Sequence, residues 1–172
     1  MAKLVLLVSS VLLLCSWDPP LQVRDRAQVT IRTSRGITTV NDTVFSGTLI
    51  GLHRYESYLN GREHGIWKTY FTNNQLSEVR EYDHGKKTGV YRSWWENGQL
   101  RSEYHFEDDE YNGACMDWSP AGQLIRKMNY VNGYETGRQQ MWDNDGTIRA
   151  NYVAKNGRNY GLTGVKNCVS KF

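Results

Sequence analysis

The sequence predicts an all-β protein whose main part is an elongated antiparallel sheet of tandem β-hairpins, with an N-terminal β-hairpin cap. Two observations lead to this fold class. Glycines and large residues recur every 24 positions, and runs of strand-like residues alternate with turn residues. The composition agrees, because sixteen Gly with only three Pro indicate many tight turns rather than a Pro-rich disordered chain.

The repeat is clearest in three columns of residues. Opening glycines stand 24 apart at Gly65, Gly89, Gly113, Gly137 and Gly161. Five positions after the first four glycines come Tyr70, Trp94, Trp118 and Trp142. A third column holds Leu76, Leu100, Leu124 and Ile148. Because so many columns align over four units, the internal repeat is real, and each unit cannot bury its apolar face without its neighbours.

Each unit contains two strand-like runs separated by the turns TNNQ, ENGQ, PAGQ or NDGT. The pairs Asn97-Gly98 and Asp145-Gly146 predict two-residue type I′ turns, which need positive φ at both central residues. The segments GREHG, GKKTG and GYETG are predicted to link successive hairpins. Strict alternation places Leu76 and Glu78 on one face, and the aromatic and leucine columns are expected to form ladders across the strands.

The repeat region is predicted to span residues 45–161, with Leu52 as a shortened unit's member of the leucine column. Residues 28–44 are predicted to form the cap hairpin around Ser34-Arg35-Gly36, since an uncovered edge strand invites aggregation. Residues 17–27 form a linker, and residues 162–172 form a C-terminal tail.

Residues 1–16 have the pattern of a secretory signal peptide or lipoprotein signal. Lys3 precedes an apolar run over residues 4–14, which is shorter than the about 20 residues that span a bilayer. Cys15 stands where a lipoprotein signal carries its modified cysteine. Two alternatives are open: Cys15 is lipidated, or the signal is cleaved near Ser16 and Cys15 is lost.

The repeat phrases NGREHGIWKTYFTNNQLSEVREY and HGKKTGVYRSWWENGQLRSEYHF resemble the bacterial MORN-repeat variant family. The resemblance covers about residues 45 to 161 and implies tandem β-hairpins in an elongated sheet. It also implies export or lipid anchoring, as in many relatives, and an antitoxin-type role, as in some. This chain departs from the pattern at Asp109, which replaces a turn glycine, and at Cys115, which replaces an aromatic residue.

The residue types present argue against catalysis, a cofactor or a metal. The four histidines (His53, His64, His84 and His105) fall at different repeat positions and show no metal-ligand spacing. The acidic run Glu107–Glu110 lacks the spacing of a calcium loop, so a solvated turn is expected there. Lys and Arg are dispersed and the net charge is +3, so no nucleic-acid partner is expected.

Cysteine chemistry offers a weaker candidate. In an exported protein, Cys115 and Cys168 would meet an oxidising compartment where pairing is common. Their repeat positions, however, place them about four strands apart if the tail continues the sheet, roughly 19 Å at ~4.8 Å per strand. A disulfide needs Cα atoms within about 7 Å. Two unpaired thiols are therefore expected, with Cys168 the more accessible.

The remaining candidate is an aromatic surface formed by Trp67, Phe71, Tyr91 and Trp95, which alternation places on one face. Such a patch is typical of a binding surface, although the N-terminal hairpin could instead cover it. The sequence therefore favours a non-catalytic interaction or scaffold module of the bacterial cell envelope, binding an unknown protein partner and, if Cys15 is modified, the membrane. The alternatives are an antitoxin- or immunity-type protein and a thiol-dependent accessory to an envelope enzyme.

Overall fold

The structure is a computed structural model that describes residues 22–164. Within this range it contains seventeen strands and one short 3-10 turn at Arg26–Gln28, so the predicted all-β class is confirmed. Residues 1–21, with the predicted signal segment and Cys15, and residues 165–172, with Cys168, lie outside the described residues. In the described part of the chain, no helix has the length and apolar character needed to cross a membrane.

The strands fall into an N-terminal group and a repeat group. The first group comprises β1 (Gln22–Asp25), β2 (Ile31–Ser34), β3 (Ile37–Val40), β4 (Thr43–Val44), β5 (Gly47–Gly51) and β6 (Arg54–Leu59). The second comprises β7 (Arg62–Glu63), β8 (Gly65–Tyr70), β9 (Leu76–Asp83), β10 (Lys86–Trp94), β11 (Leu100–Glu107), β12 (Glu110–Trp118), β13 (Leu124–Val131), β14 (Tyr134–Glu135), β15 (Gly137–Trp142), β16 (Ile148–Lys155) and β17 (Arg158–Leu162).

Fourteen of these strands form one long sheet, and β2, β3 and β4 form a separate small sheet. From β5 onward the long sheet follows the chain order, with the short strands β7 and β14 paired to β6 and β13. All its pairs are antiparallel except that of β1, which joins β5 in parallel. The strand that covers the N-terminal edge of the array is therefore β1, while the predicted hairpin lies elsewhere.

The aromatic and leucine columns pair with each other across each hairpin. The register joins Tyr70 to Leu76, Trp94 to Leu100, Trp118 to Leu124 and Trp142 to Ile148. This pairing recurs in all four hairpins and differs from the prediction, which was of two separate ladders, one of aromatic residues and one of leucines and isoleucine. Leu52 does not take part in this pairing, because it lies in the turn between β5 and β6 and is 91% exposed.

The prediction that Leu76 and Glu78 share a face is wrong. Leu76 pairs with Tyr70, whereas Glu78 pairs with the adjacent Thr69, so the ladder skips Ser77. The same register shift recurs in the next three hairpins, before Trp94, Trp118 and Trp142. One additional residue on one strand reverses the alternation beyond it, and here the irregularity is part of the repeat.

The predicted type I′ turns at the hairpin tips are also wrong. Trp95 donates its N–H to the Gln99 carbonyl at 2.9 Å, and Gly98 donates to the Trp95 carbonyl at 2.9 Å. Only Gly98 has positive φ (83°) in this three-residue loop; Asn97 does not. The Asn97 Oδ1 atom instead accepts the Gln99 N–H at 3.0 Å, a local bond that holds a turn followed by one left-handed residue.

The two-residue type I′ geometry occurs in the links instead. His84 and Gly85 have φ values of 48° and 91°, and Asp83 pairs with Lys86 around them. The links at residues 60–61, 108–109, 132–133 and 156–157 show the same pair of positive φ values. Asp109 replaces glycine there because its carboxylate accepts the Lys87 N–H at 2.8 Å, and Asp tolerates this conformation better than most residues. The array is therefore a continuous meander.

The small sheet packs against the first strands of the long sheet. Thr38 donates its N–H to the Gly61 carbonyl at 2.7 Å, and Gly61 donates to the Phe45 carbonyl at 2.7 Å. Val40, Phe45, Leu49 and Tyr58 form a buried cluster here, with Val29, Ile31 and Trp67 packed around it. The predicted hairpin forms, and it covers one face of the array rather than its edge.

A second buried cluster lies on the later repeats. Its members are Cys115, Met128, Ala150, Tyr152 and Ala154. The register joins Tyr104 to Cys115 and Cys115 to Met128. Because paired residues share a face, this cluster and Tyr104 lie on one side of the sheet.

Candidate functional site

Aromatic rings cross the strands of the long sheet as two rows on one face. The first row runs from Phe45 to Tyr58, Trp67 and Tyr82, with successive ring centroids 6.0, 5.2 and 5.1 Å apart. These separations lie in the range of favourable edge-to-face and tilted contacts, worth about 0.5–1.5 kcal/mol per pair. The small sheet covers the beginning of this row, so it is part of the protein core.

The second row begins on β10 and continues to β13. Tyr91 stacks on Tyr104 with centroids 5.4 Å apart, Tyr104 meets Tyr111 at 5.8 Å, and Tyr111 meets Tyr130 at 5.2 Å. Phe106 lies 4.8 Å from Tyr111. No small sheet covers this row, and Tyr111 is 36% exposed. The second row is therefore a solvent-accessible aromatic surface.

A cleft of about 200 Å³ opens between the two rows. Its lining residues are Arg80, Glu81, Lys87, Thr88, Tyr91, Tyr104, Phe106 and Tyr111. The cleft lies where the register between β9 and β10 shifts between Thr88 and Arg92. Gly89 stands in this interval with φ of 63°, and a Cβ atom there would lie 2.1 Å from the Glu81 Oε2 atom. The glycine thus lets β10 turn past the Glu81 side chain.

Two cations lie over the aromatic rings of the cleft. The Arg80 guanidinium carbon is 5.1 Å from the Tyr91 centroid, and the Lys87 Nζ atom is 5.7 Å from the Phe106 centroid. Arg80 also donates to both carboxylate oxygens of Glu78, at 2.6 and 3.1 Å. These bonds raise the pKa of Arg80 further above its usual range. Lys87, by contrast, forms no ion pair among residues 22–164 within the 4.0 Å limit of a salt bridge.

Hydrogen bonds hold the two central tyrosines in place. Tyr91 donates its hydroxyl to the Glu78 Oε2 atom at 3.0 Å. Tyr104 donates to the Asp117 Oδ1 atom at 2.5 Å and accepts from the Arg126 Nη2 atom at 2.9 Å. Burial raises the pKa of both phenols, and for Tyr104 the bond to Asp117 raises it further. Both hydroxyls therefore stay neutral at physiological pH, and the rings form a rigid surface suited to binding by stacking and charge.

The structure does not bring the four predicted surface residues together in one patch. Trp67 is packed between Tyr58 and Tyr82 and donates its indole N–H to the Ser57 carbonyl at 2.8 Å. Tyr91 lines the cleft. Phe71 and Trp95 lie at hairpin tips, where Trp95 donates to the Trp118 carbonyl at 3.0 Å. All four side chains are partly buried.

Sequence reasoning missed the other three aromatic residues of the cleft, Tyr104, Phe106 and Tyr111. It assigned the binding face from the first strand of each hairpin alone. The second strand of the repeat contributes Tyr104 and Phe106, and the beginning of β12 contributes Tyr111. The alternation of Tyr104 and Phe106 along β11 was the available signal. Tyr111 carried no such signal, because its position was predicted to be in the segment that links two hairpins.

The candidate thiol Cys115 lies in the core, at 2% exposure. It is a free cysteine among the described residues. Burial raises the pKa of its thiol, which lowers the fraction of reactive thiolate. The other two candidates, Cys15 and Cys168, lie outside the described residues.

Comparison with known proteins identifies the repeat. The profile described as MORN repeat variant matches twice in tandem, at residues 63–84 and 87–108. The first match covers β8 and β9 and the second covers β10 and β11, so these hairpins are MORN-variant repeats, as the resemblance predicted. This class of repeat indicates a non-catalytic interaction module.

Other comparisons add little. No curated protein matches the chain. Among solved structures, a mutant of S. aureus TarM in complex with Fondaparinux, alpha-GlcNAc-glycerol and UDP is similar at 16% identity, over 57% of this chain and 20% of that chain, with a TM-score of 0.35. The similarity thus spans a fifth of that protein, and a TM-score this low does not establish a shared fold.

Proposed function

We propose that the protein is a non-catalytic protein-interaction module of the bacterial cell envelope, exported and lipid-anchored through Cys15. The cleft between the aromatic rows carries the binding part of this proposal. It offers three tyrosines and a phenylalanine beside Arg80, Lys87 and Glu81, on the part of the face that the small sheet leaves open. Aromatic residues and arginine are the types enriched at the centres of protein interfaces.

The rings of the cleft indicate what the partner presents more clearly than its charges do. The Arg80 charge is matched by Glu78, and the cleft contains both Lys87 and the Glu81 carboxylate. A segment that places an apolar or aromatic side chain against Tyr104 and Tyr111, and polar groups against Lys87 and Glu81, would complement the cleft. A protein partner with such an aromatic segment is therefore favoured.

Photo-crosslinking in cells tests this binding surface. A photoreactive phenylalanine analogue is placed at the position of Tyr111, inside the cleft, or of Tyr134, which is 80% exposed and outside it. We expect a discrete protein adduct from the first position only. Adding Tyr91→Ala to the first chain should reduce the adduct about fivefold or more, as for an interface residue worth about 1 kcal/mol.

Two results would argue against the cleft as the binding surface. One is equal labelling from both positions. The other is an adduct that survives Tyr91→Ala while the thermal midpoint is unchanged. Tyr91→Phe is the matched control, because it keeps the ring in the cleft and removes only the hydroxyl bond to Glu78.

The export part of the proposal is supported by the apolar segment of residues 4–14 and by the position of Cys15. Cells expressing the wild type or Cys15→Ala are fed a radiolabelled fatty acid and fractionated. We expect label and membrane retention in the wild type and neither in the variant. Unlabelled full-length protein in the cytoplasm would contradict export and favour the antitoxin-type alternative, which the family resemblance alone implies.

The thiol-dependent alternative receives no support from Cys115, because its thiol is buried and its pKa is raised. It would depend on Cys168. A thiol-blocking assay on the intact protein distinguishes this alternative, since binding through the cleft does not need a thiol.

A further inference from the structure

Two histidines and an aspartate meet at the junction between the first two matched repeats. His64 lies between β7 and β8, Asp83 ends β9, and His84 follows it in the link. The Asp83 Oδ1 atom is 3.3 Å from His64 Nδ1 and 2.5 Å from His84 Nδ1. The two imidazole rings face each other edge to face, with centroids 5.0 Å apart. Three potential metal-ligand atoms therefore lie within 4.8 Å of one another.

The Asp83 carboxylate is the centre of this cluster. Its Oδ1 atom lies near the Nδ1 atoms of both imidazoles, at 3.3 and 2.5 Å. The His84 backbone N–H also lies 3.4 Å from His64 Nδ1. Two imidazole nitrogens and a carboxylate oxygen are all atoms that bind a transition-metal ion. A cation bound between the side chains would contact all three.

One ligand pair already has the spacing of a transition-metal site. Zn²⁺ binds imidazole nitrogen at about 2.0–2.1 Å and carboxylate oxygen at about 2.0–2.2 Å, in tetrahedral geometry. Two such ligands are then about 3.3 Å apart, which is the separation of His64 Nδ1 and Asp83 Oδ1. The Asp83 Oδ1 and His84 Nδ1 atoms are 2.5 Å apart in a direct hydrogen bond, so the exposed His84 ring has to move outward to bind the ion. The side chains are 38%, 63% and 63% exposed for His64, Asp83 and His84. An ion could therefore enter directly and keep water in its remaining position.

The other junctions of the array lack this ligand set. At the next junction, the positions of His64, Asp83 and His84 are taken by Thr88, Glu107 and Asp108. The junctions after it offer Asn112, Val131 and Asn132, then Thr136, Lys155 and Asn156. Two of the three sets therefore contain no carboxylate, and none contains a histidine. The repeat places the equivalent positions at every junction, but among these four junctions only the first combines two histidines with a carboxylate.

We propose that His64, Asp83 and His84 bind one divalent transition-metal ion of the zinc type, with two imidazole ligands and one carboxylate. Imidazole suits zinc, copper and nickel ions, whereas Mg²⁺ and Ca²⁺ prefer all-oxygen sites. Lys86, two residues after His84, pairs with Asp108 at 3.1 Å, so its charge is balanced. The bound ion would tie the β7–β8 segment to the β9–β10 link. None of the three residues lines the cleft, so the metal site does not depend on the proposed binding function.

Equilibrium dialysis of the tag-free full-length protein against Zn²⁺, followed by elemental analysis, tests the site. We expect one zinc ion per chain. His64→Ala and His84→Ala should each weaken binding about tenfold or more, since even outer partners of metal ligands contribute 10–100-fold. Asp83→Asn should also weaken it. His105→Gln, a histidine in the next repeat, is the matched control and should leave binding unchanged.

Two further measurements make the outcome decisive. Mg²⁺ at the same concentration should not displace zinc. Circular dichroism of the metal-free variants should match the wild type, because all three side chains are at the surface. Zinc uptake well below one per chain would overturn the proposal, and so would uptake that His64→Ala and His84→Ala leave intact.

Discussion

One sheet face carries two aromatic rows, and they meet different surroundings. In the first row, Phe45 and Tyr58 are 4% and 6% exposed, because β2, β3 and β4 lie over them. In the second row, Tyr111 remains 36% exposed and borders an open cleft. Ring separations are similar in both rows, at about 5–6 Å. The difference shows that the repeat builds the rows, while a segment outside the repeat decides which row becomes core.

This division separates stability from binding. Leu49, on β5, is fully buried under the small sheet, and such burial contributes about 1.5–3 kcal/mol per large apolar side chain. The cleft residues lack this cover and instead rely on hydrogen bonds to fix their rings. Changes in the covered region should therefore affect folding, whereas changes in the open region should mainly affect binding.

The largest effect is expected from Leu49→Ala. Removing a fully buried leucine leaves a cavity, which costs about 2–5 kcal/mol. Urea denaturation followed by tryptophan fluorescence measures the free energy of unfolding. Leu52→Ala is the matched control, because Leu52 is 91% exposed, and its change should stay within about 0.5 kcal/mol.

Equal losses in these two variants would break the comparison, since they would mean that the small sheet does not shield Leu49. A loss confined to Leu49→Ala, with crosslinking from the cleft unchanged at low temperature, would sharpen it.

A smaller effect is expected from Gly61→Ala relative to Gly157→Ala. Both glycines occupy the same link position of the repeat, with φ values of 75° and 69°, so alanine costs about 1–2 kcal/mol of left-handed strain at each. At Gly61, however, the added Cβ would lie 2.7 Å from Ile37 Cγ2 and 2.9 Å from the Thr38 carbonyl oxygen. At Gly157 nothing lies within 4 Å.

Gly61→Ala should therefore destabilise the protein by about 1–3 kcal/mol more than Gly157→Ala, the usual cost of overpacking. Thermal unfolding of the two variants side by side measures this difference. Matching midpoints would show that the small sheet is not held tightly against the Gly61 link.

Much of the fold could be predicted because single residues at a fixed spacing of 24 positions identify the repeat. The aromatic and leucine columns identified the four hairpins, whereas the pairing of one column with the other came from the structure. The turn type that was predicted for the tips occurs in the links instead. Asn97-Gly98 has the composition of a type I′ turn, but the Asn97 side chain bonds to Gln99 and holds the longer loop. His84-Gly85 has a weaker turn composition and adopts the type I′ geometry, since strand register leaves two residues for the reversal.

The candidate site was predicted less well. Tyr91 was identified, but Trp67 lies in the packed row, and the cleft depends on Tyr104, Phe106 and Tyr111 as well. The His64–Asp83–His84 cluster was missed because its histidines hold different positions in the repeat, 20 residues apart. They meet because β8 and β9 pair antiparallel, so the end of β9, before His84, lies beside the beginning of β8, after His64.

The sequence by itself determined the all-β class and the 24-residue hairpin unit, because hydrophobic periodicity and turn residues act over short distances. The tertiary structure alone decided which aromatic row is covered, where the register shifts open a cleft, and which side chains meet at a junction. These features depend on contacts between segments far apart in the chain, and local residue preferences do not encode those contacts.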